Sequence, residues 1–237
     1  MHLPDLPRFY HPGVGDGVIV LSDEEAAHAR VLRLKDGDSV HVVNGEGKLW
    51  ESKVASMKKR IELHLLSLVQ EAENKNALHL AIAPTKNMTR LEWVIEKATE
   101  LGVKRITPIS CEHSERVHLK NDRLDKIAIS AIKQSKGLWK PIIDPLTPFK
   151  ALIEHSNESH KWIAHCKDDL DRAPLTSVTL FSDQLICIGP EGDFSESEIT
   201  VAQKLGFTGL SLGDRRLRTE TAAITACIAA NLFGQRP

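Results

Sequence analysis

The C-terminal part of the chain contains two short apolar runs, each followed by a loop that begins with glycine and then by a helical pattern. The first run covers residues 185–188 and is followed by the sequence GPEGDF at 189–194. The second run covers residues 209–212 and is followed by GDRRLR at 213–218. A short apolar run bounded by turn residues is typical of a buried parallel strand. This region is therefore predicted to form strand, loop, helix, strand, loop and helix, in that order.

The segment between the two runs carries helix boundary signals. Ser195 is placed to be an N-cap, Glu198 three residues later completes a capping box, and Gly206 is placed to end the helix. Ligands of open α/β sheets bind in the crevice at the carboxyl ends of the strands. We therefore expect loops 189–194 and 213–218 to form two walls of one site, although ordinary strand-to-helix turns would also begin with glycine.

Three arginines, Arg215, Arg216 and Arg218, lie directly before the last helix. With Thr219 as the predicted N-cap, they gather where the helix dipole is already positive. An anionic ligand would stabilise this arrangement, and the alternative is that Glu220 and neighbouring carboxylates neutralise the arginines. The pattern favours an anion-binding site beside the glycine loops.

Taken together, these segments resemble the RsmE family. The resemblance rests on GPEG at 189–192, SLG at 211–213 and LRTETAA at 217–223. It continues upstream in RLEWVIEKATELGV at 90–103 and RVLRLK at 30–35. Members of this family are 16S ribosomal RNA uridine-N3 methyltransferases of the SPOUT superfamily, and they use S-adenosyl-L-methionine.

The resemblance also implies the residues of the site. Those that would bind S-adenosyl-L-methionine are His165, Ile188, Gly189, Pro190, Glu191, Gly192, Leu212, Gly213, Leu217, Arg218, Thr219, Thr221 and Ala222. Arg218 would also be catalytic, because a cation there can stabilise the negative charge that develops on the uridine ring when the N3 proton leaves. Glu220 is a candidate general base, although a glutamate in the first turn of a helix also fits the helix dipole. RNA would be bound by Arg8, Arg30, Arg33 and Lys136.

Hydrophobic periodicity divides the chain into two domains. Residues 1–70 carry alternating apolar and polar positions, which indicates a small β-barrel. One short helix interrupts them, with Ser22 as N-cap and Glu25 at the capping-box position. A polar linker follows at 71–76. Residues 77–237 alternate strand and helix, with predicted strands at 78–83, 105–109 and 162–166 and a predicted helix at about 88–101. This alternation is typical of a parallel sheet covered on both faces. The predicted fold class is therefore α/β.

The family resemblance refines this architecture. It implies that the N-terminal barrel is a PUA-like RNA-binding domain and that the C-terminal domain is a SPOUT-type parallel sheet with a deep trefoil knot. It also implies a homodimer formed through the C-terminal domain, with the last helix in the interface. The many alanines of that helix would let another backbone approach closely, but alanine is also simply the best helix former.

Composition limits the other possibilities. The 237 residues carry a net charge of −1, which does not by itself indicate binding to 16S ribosomal RNA or the small subunit. The four cysteines lack C-x-x-C spacing, so we expect no metal. No apolar run approaches the roughly 18 residues of a membrane span and no signal region is evident, so we expect a cytoplasmic protein without membrane contact. Two alternatives stay open: a non-catalytic RNA-binding protein of the same fold, and a small-molecule α/β enzyme, which the neutral charge would favour.

Three positions depart from the family pattern. Asp193 occupies a place where many members have glycine, and aspartate tolerates positive φ better than most residues if the loop requires it. Lys136 and His113 stand where arginine is common. These replacements leave the reaction class unchanged but affect which cations would hold RNA phosphates.

Overall fold

A β-rich N-terminal part precedes alternating strands and helices. The computed structural model describes residues 3–13, 15, 17–75, 77–115, 118–167, 169–175 and 183–234. The strands are β1 (Arg8–Tyr10), β2 (Val18–Val20), β3 (Ser39–Val43), β4 (Lys48–Met57), β5 (Ile61–Glu71), β6 (Leu78–Ile82), β7 (Arg105–Ser110), β8 (Ile142–Ile143), β9 (Thr147–Pro148), β10 (His160–Ala164), β11 (Ala173–Pro174), β12 (Gln184–Ile188) and β13 (Thr208–Ser211). The helices are α1 (Asp23–Val31), α2 (Met88–Glu100), α3 (Asn121–Gln134), α4 (Phe149–His155), α5 (Glu196–Lys204) and α6 (Thr219–Gly234).

Residue contacts divide the chain into two units. The first unit comprises Met1–Lys75 and Ile129–Lys140, and the second comprises Asn76–Ala128 and Pro141–Pro237. The predicted linker overlaps the end of β5, which runs to Glu71, and its last residue, Asn76, lies outside the described part of the chain.

The first unit contains a five-stranded sheet with the order β1-β3-β4-β5-β2. β3, β4 and β5 pair antiparallel along the chain, whereas β1 pairs parallel with β3. The turn between β3 and β4 is set by Asn44, whose side-chain oxygen accepts hydrogen bonds from the backbone N–H of Glu46 (2.9 Å) and Lys48 (3.0 Å). The predicted β-rich character of the N-terminal part is confirmed. β1 was not predicted from the sequence.

Helix α1 begins as predicted but differs in its capping. The Ser22 hydroxyl accepts from the Glu25 N–H at 3.3 Å. The Glu25 carboxylate does not accept from the Ser22 N–H, so the predicted capping box does not form. It is buried and instead accepts from the Tyr10 N–H (3.1 Å) and the Lys133 ammonium (2.5 Å). Burial of a carboxylate requires such partners, and here they outweigh the local cap.

The second unit contains an eight-stranded sheet among its described residues, with the order β11-β13-β10-β12-β6-β7-β8 and with β9 paired to β7. All of these pairings are parallel. In β12, Ile186 and Ile188 face one hydrophobic core, while Leu185 and Cys187 face the other. The run is apolar throughout because both faces of the strand are buried.

Helices cover both faces of this sheet. Helices α2 and α6 bury their apolar sides in the first core, whereas α4 and α5 bury theirs in the second. Helix α5 has the predicted capping box between Ser195 and Glu198, and the chain turns at Gly206 with φ +86°. The predicted α/β fold with a parallel sheet is confirmed. None of the described helices has both the length and the apolar character needed to cross a membrane.

Candidate functional site

A cavity of about 330 Å³ lies at the carboxyl ends of three neighbouring strands, β13, β10 and β12. Its walls include the loop after each strand, because parallel strands present their carboxyl ends at the same edge of the sheet. Loops 189–194 and 213–218 both contribute residues, as the sequence predicted. The third wall comes from the loop after β10.

Most residues predicted for the cofactor site line this cavity. They are His165, Ile188, Gly189, Pro190, Glu191, Leu212, Gly213, Leu217, Arg218, Thr219 and Ala222. Three other predicted residues, Gly192, Glu220 and Thr221, are not among the described residues that line it. A Cβ added at Gly192 would lie 3.0 Å from the Cβ of His113, so packing against His113 accounts for that glycine. Glu220 faces Arg90 in α2, with 3.4 Å between their charged atoms.

His165 is one of the buried polar residues that line the cavity. Its side chain is 4% exposed, and neither ring nitrogen has a hydrogen-bond partner among the described residues. Burial lowers the pKa of His165, and the nearby charge of Asp193 raises it only in part. A neutral imidazole offers one donor and one acceptor, and leaving both unpaired in a buried place is unfavourable. Neither ring nitrogen is accessible to water, so His165 contributes a buried polar group to the wall of the cavity that is unpaired among the described residues.

Three arginines lie in the wall that the loop after β13 forms. Arg215, Arg216 and Arg218 line the cavity, are exposed, and have no ion-pair partner within the described parts of the chain. They precede α6, whose first turn adds positive potential. Backbone N–H groups at a helix start and nearby guanidinium groups both attract anions. The predicted anion-binding character of this loop is consistent with the geometry.

Thr219 has a different role from the N-cap that the sequence predicted. It is the first residue of α6, and the Ala222 N–H donates to the Arg218 carbonyl at 2.8 Å, so the helix is initiated from Arg218. The Thr219 hydroxyl donates instead to the carbonyl oxygen of Gly189 at 3.2 Å. A buried carbonyl at the end of β12 competes for the hydroxyl more strongly than the helix terminus does.

Other residues of the cavity were not predicted. Ala164, Cys166, Arg172 and Leu210 line it as well. The predicted strand at 162–166 included the first two residues of this loop, so the end of β10 at Ala164 was not recognised. Residues 165–172 contain no glycine and no periodicity that could have marked a ligand loop.

The residues predicted to bind RNA all lie in the first unit. Arg30 and Arg33 are exposed at the end of α1, and Arg33 has φ +56°. Arg8 is half-buried, one of its guanidinium nitrogens has no partner among the described residues, and burial lowers its pKa. Lys136 forms an ion pair with Asp5 at 2.9 Å. Burial is the main cause that lowers the pKa of His41, and the positive charges of Arg8 and Lys136 lower it further. Both cations are therefore near His41.

No three His, Cys, Asp or Glu side chains group as a metal site among the residues that the structure describes. Cys187 and Cys227 are buried, and burial raises the pKa of both thiols, that of Cys227 to about 12. The expectation that no metal is bound stays a prediction.

Comparison with known proteins places the chain in a family. Residues 72–231 match a family described as an RNA methyltransferase domain, and residues 21–66 match one described as an RNA methyltransferase PUA domain. The chain is 31% identical to ribosomal RNA small subunit methyltransferase E of Buchnera aphidicola (subsp. Acyrthosiphon pisum), over 97% of this chain and 90% of the relative.

Solved structures agree with the sequence matches. A Legionella pneumophila protein solved with SAM bound superposes with a TM-score of 0.88 at 30% identity, over 98% of this chain and 99% of that one. Ribosomal RNA small subunit methyltransferase E of Neisseria gonorrhoeae, bound to S-adenosyl methionine, superposes with a TM-score of 0.83 at 26% identity, over 97% and 98% of the two chains. Together with the cavity at the carboxyl ends of the sheet, these matches show that the chain belongs to the ribosomal RNA small subunit methyltransferase E family.

Proposed function

We propose that this protein transfers the methyl group of S-adenosyl-L-methionine to N3 of a uridine in 16S ribosomal RNA of the small subunit. One observation carries the proposal: a cavity at the carboxyl ends of three parallel strands is lined by a buried histidine and three exposed arginines, all without side-chain partners among the described residues. The histidine side suits a polar organic cofactor, and the arginine side suits a polyanion. A family of RNA methyltransferases accounts for both.

The residues of the cavity fit the cofactor. His165 lines the cavity and has two ring nitrogens without a partner among the described residues, while Ile188, Leu212, Leu217 and Ala222 supply apolar contacts. Gly213 has φ +129° and open space where a Cβ would stand, so backbone groups of this loop are accessible. When bound, S-adenosyl-L-methionine supplies an activated methyl group on a sulfonium. The protein's own contribution is to hold that group in line with the attacking nitrogen and to exclude water.

The uridine must be unpaired and its N3 must be activated before it can accept the methyl group. Its N3 lies on the pairing edge, so the base must be unpaired before it can enter a pocket. N3 carries a proton and is a poor nucleophile until that proton passes to water. The anion that results is spread over the ring nitrogen and two carbonyl oxygens. Arg218 lines the cavity without an ion-pair partner among the described residues, so its charge is available to stabilise that anion. Glu220 lies in the first turn of α6 and is paired with Arg90 of α2. Its position suits interaction with the helix dipole better than the role of general base.

The first unit would hold the RNA. Arg30 and Arg33 are exposed on it, and Arg8 and Lys136 lie together there, so phosphate groups can reach cations at two places. We further propose a homodimer through the C-terminal domain, a trefoil knot in that domain, and action in the cytoplasm, where ribosomal subunits are found. These proposals follow from membership of the family.

Methylation of ribosomal subunits provides the test. Small subunits from cells lacking the protein would be incubated with purified protein and S-adenosyl-L-methionine, and the RNA digested for mass spectrometry. We expect N3-methyluridine to appear at one position in 16S ribosomal RNA. Methylation at another atom, or no methylation of either subunits or free RNA, would contradict the proposal.

A further inference from the structure

Asp193 links two loops of the cofactor cavity through its carboxylate. One oxygen, Oδ2, accepts a hydrogen bond from the backbone N–H of Cys166 at 2.8 Å, across to the loop after β10. The other, Oδ1, accepts from the N–H of Phe194 at 2.8 Å, within the loop after β12. We infer that Asp193 is a positioning residue, which holds the loop after β10 in the place where His165 can meet the cofactor. This inference rests on the proposed function.

The backbone of Asp193 is itself fixed. Its N–H donates to the Pro190 carbonyl at 3.0 Å, and its own carbonyl accepts from Nδ1 of His113 at 2.9 Å. The next residue, Phe194, is fully buried and its ring lies 4.8 Å from that of Phe149. The backbone that carries the Asp193 carboxylate is therefore rigid. The carboxylate can hold the loop after β10 in place.

The conformation of Asp193 points to a role for its side chain. Its φ is +65°, a left-handed conformation that glycine adopts without strain. Glycine would satisfy the backbone here but would leave the Cys166 N–H without its partner. Aspartate tolerates this conformation better than most residues, and its ionised oxygens form charge-assisted hydrogen bonds. The strain is thus offset by a bond that only a side chain can provide.

The loop that is held contains the buried group of the cavity. Cys166 directly follows His165, so fixing the Cys166 N–H fixes the peptide unit that joins the two residues. The Arg172 guanidinium donates to the carbonyl of this same peptide unit, that of His165, at 3.0 Å. Both polar groups of the peptide unit that follows the His165 Cα are therefore held by charged side chains. Loss of either hold would let the imidazole move relative to the apolar walls.

Two variants separate the hydrogen bond from the backbone conformation. Asp193→Gly keeps the positive φ but removes both acceptor oxygens. Asp193→Asn tolerates the same φ, has no charge, and keeps one oxygen that can accept from Cys166. Asp214→Gly is the matched control, because Asp214 is exposed in the loop after β13 and does not line the cavity.

The first measurement is amide hydrogen exchange of the protein without cofactor. We expect the Cys166 amide to exchange at least about tenfold faster in Asp193→Gly, and to stay protected in Asp193→Asn and in the control. Protection unchanged in Asp193→Gly would show that the hydrogen bond does not hold the loop.

The second measurement is calorimetric titration with S-adenosyl-L-methionine below the melting temperature of each variant. We expect affinity to fall about tenfold or more in Asp193→Gly and within about threefold of wild type in Asp193→Asn. Equal affinity in Asp193→Gly and wild type would overturn the positioning role while leaving the proposed function intact. Equal losses in both Asp193 variants, with the Cys166 amide still protected in Asp193→Asn, would assign the effect to a direct action of the charge and would also overturn the positioning role. If wild type itself bound no S-adenosyl-L-methionine, the proposed function would fail and this inference with it.

Discussion

The Thr219 hydroxyl donates a hydrogen bond to the carbonyl oxygen of Gly189 at 3.2 Å. This contact joins the first residue of α6 to the first residue after β12, so it ties together two loops that line the cavity. Thr219 is 5% exposed, and water cannot readily replace the hydroxyl. The contact therefore contributes to the shape of the cavity as well as to stability.

Thr219→Val should destabilise the protein by about 1–3 kcal/mol, because the Gly189 carbonyl would remain buried without this donor. Urea denaturation would measure the change. The matched control is Thr225→Val, in which the lost hydroxyl donates to the Thr221 carbonyl at 2.9 Å within the same helix at an exposed position. Valine and threonine have similar helix propensities, so the control should change stability by less than about 0.5 kcal/mol. Equal effects of the two substitutions would show that the contact with Gly189 has no special role.

The sequence predicted the part of the site whose signals are local. Glycines and the capping box of Ser195 marked the loops after β12 and β13, and the structure brings both loops to one cavity. The spatial order β13-β10-β12 is not a local property, so nothing in the pattern placed the loop after β10 between them. His165 was identified through family resemblance, whereas Cys166 and Arg172 in the same loop were not.

Long elements were predicted better than short ones. Periodicity located α2 and most strands of five or more residues closely, because burial repeats over enough positions to be seen, although β10 was predicted two residues too late. The two-residue strands β8, β9 and β11 carry no such repeat and form only because neighbouring strands present free hydrogen-bonding groups. Burial of Ile132 and Leu138 with Val43 and Leu49 in the first unit is likewise a tertiary contact without a local signal.

Gly209→Ala should weaken binding of S-adenosyl-L-methionine. A Cβ at this position would overlap the Asp171 carbonyl oxygen and lie 2.9 Å from Nε2 of His165, so the loop after β10 would have to move. We expect at least about a tenfold loss of affinity in calorimetry, equivalent to about 1.4 kcal/mol. Gly15→Ala is the control, because nothing lies within 4 Å of the added Cβ. Wild-type affinity in Gly209→Ala would mean that the loop can shift without disturbing the cofactor.

Glu158→Gln should reduce the loss of stability in acid. The Glu158 carboxylate lies 2.5 Å from Nδ1 of His79, and this hydrogen bond lowers the pKa of Glu158 even though burial opposes the shift. A carboxylate with a lowered folded-state pKa contributes stability above its unfolded value, near 4.5, and loses that contribution as pH falls through the folded pKa. Wild type should therefore exceed the variant by about 1–3 kcal/mol at pH 7 and by much less near pH 3.

Urea midpoints measured from pH 7 to pH 3 would test this expectation. Glu154→Gln is the control, since Glu154 is exposed and 3.9 Å from Lys150. Its stability difference from wild type should stay small and nearly constant with pH. A difference between wild type and Glu158→Gln that does not change with pH would contradict the assigned cause.

Arg33→Asn should weaken RNA binding without affecting the cofactor. Asparagine tolerates the positive φ of this position, so the substitution removes the charge with little strain. The slope of log affinity against log salt should fall by about one unit if Arg33 contacts a phosphate. Filter binding at several salt concentrations gives the slope, and calorimetry gives cofactor affinity as the internal control. An unchanged slope would remove Arg33 from the RNA-binding surface.

Arg218→Ala should bind both substrates nearly normally and methylate very slowly. Arg218 lines the cavity, is exposed, and has no ion-pair partner among the described residues, so its removal leaves no buried carboxylate unpaired. If its charge acts on the uridine only as the N3 proton leaves, the interaction belongs to the transition state and its loss lowers kcat rather than affinity. Removal of a single electrostatic donor of this kind costs about 100-fold to 1000-fold in rate. Lysine should restore only part of the rate, because a point charge cannot reproduce the planar guanidinium.

Arg215→Ala is the matched control in the same loop and should lower RNA affinity more than single-turnover rate. Wild-type single-turnover rates for Arg218→Ala, or failure of that variant to bind RNA, would instead assign Arg218 to phosphate binding.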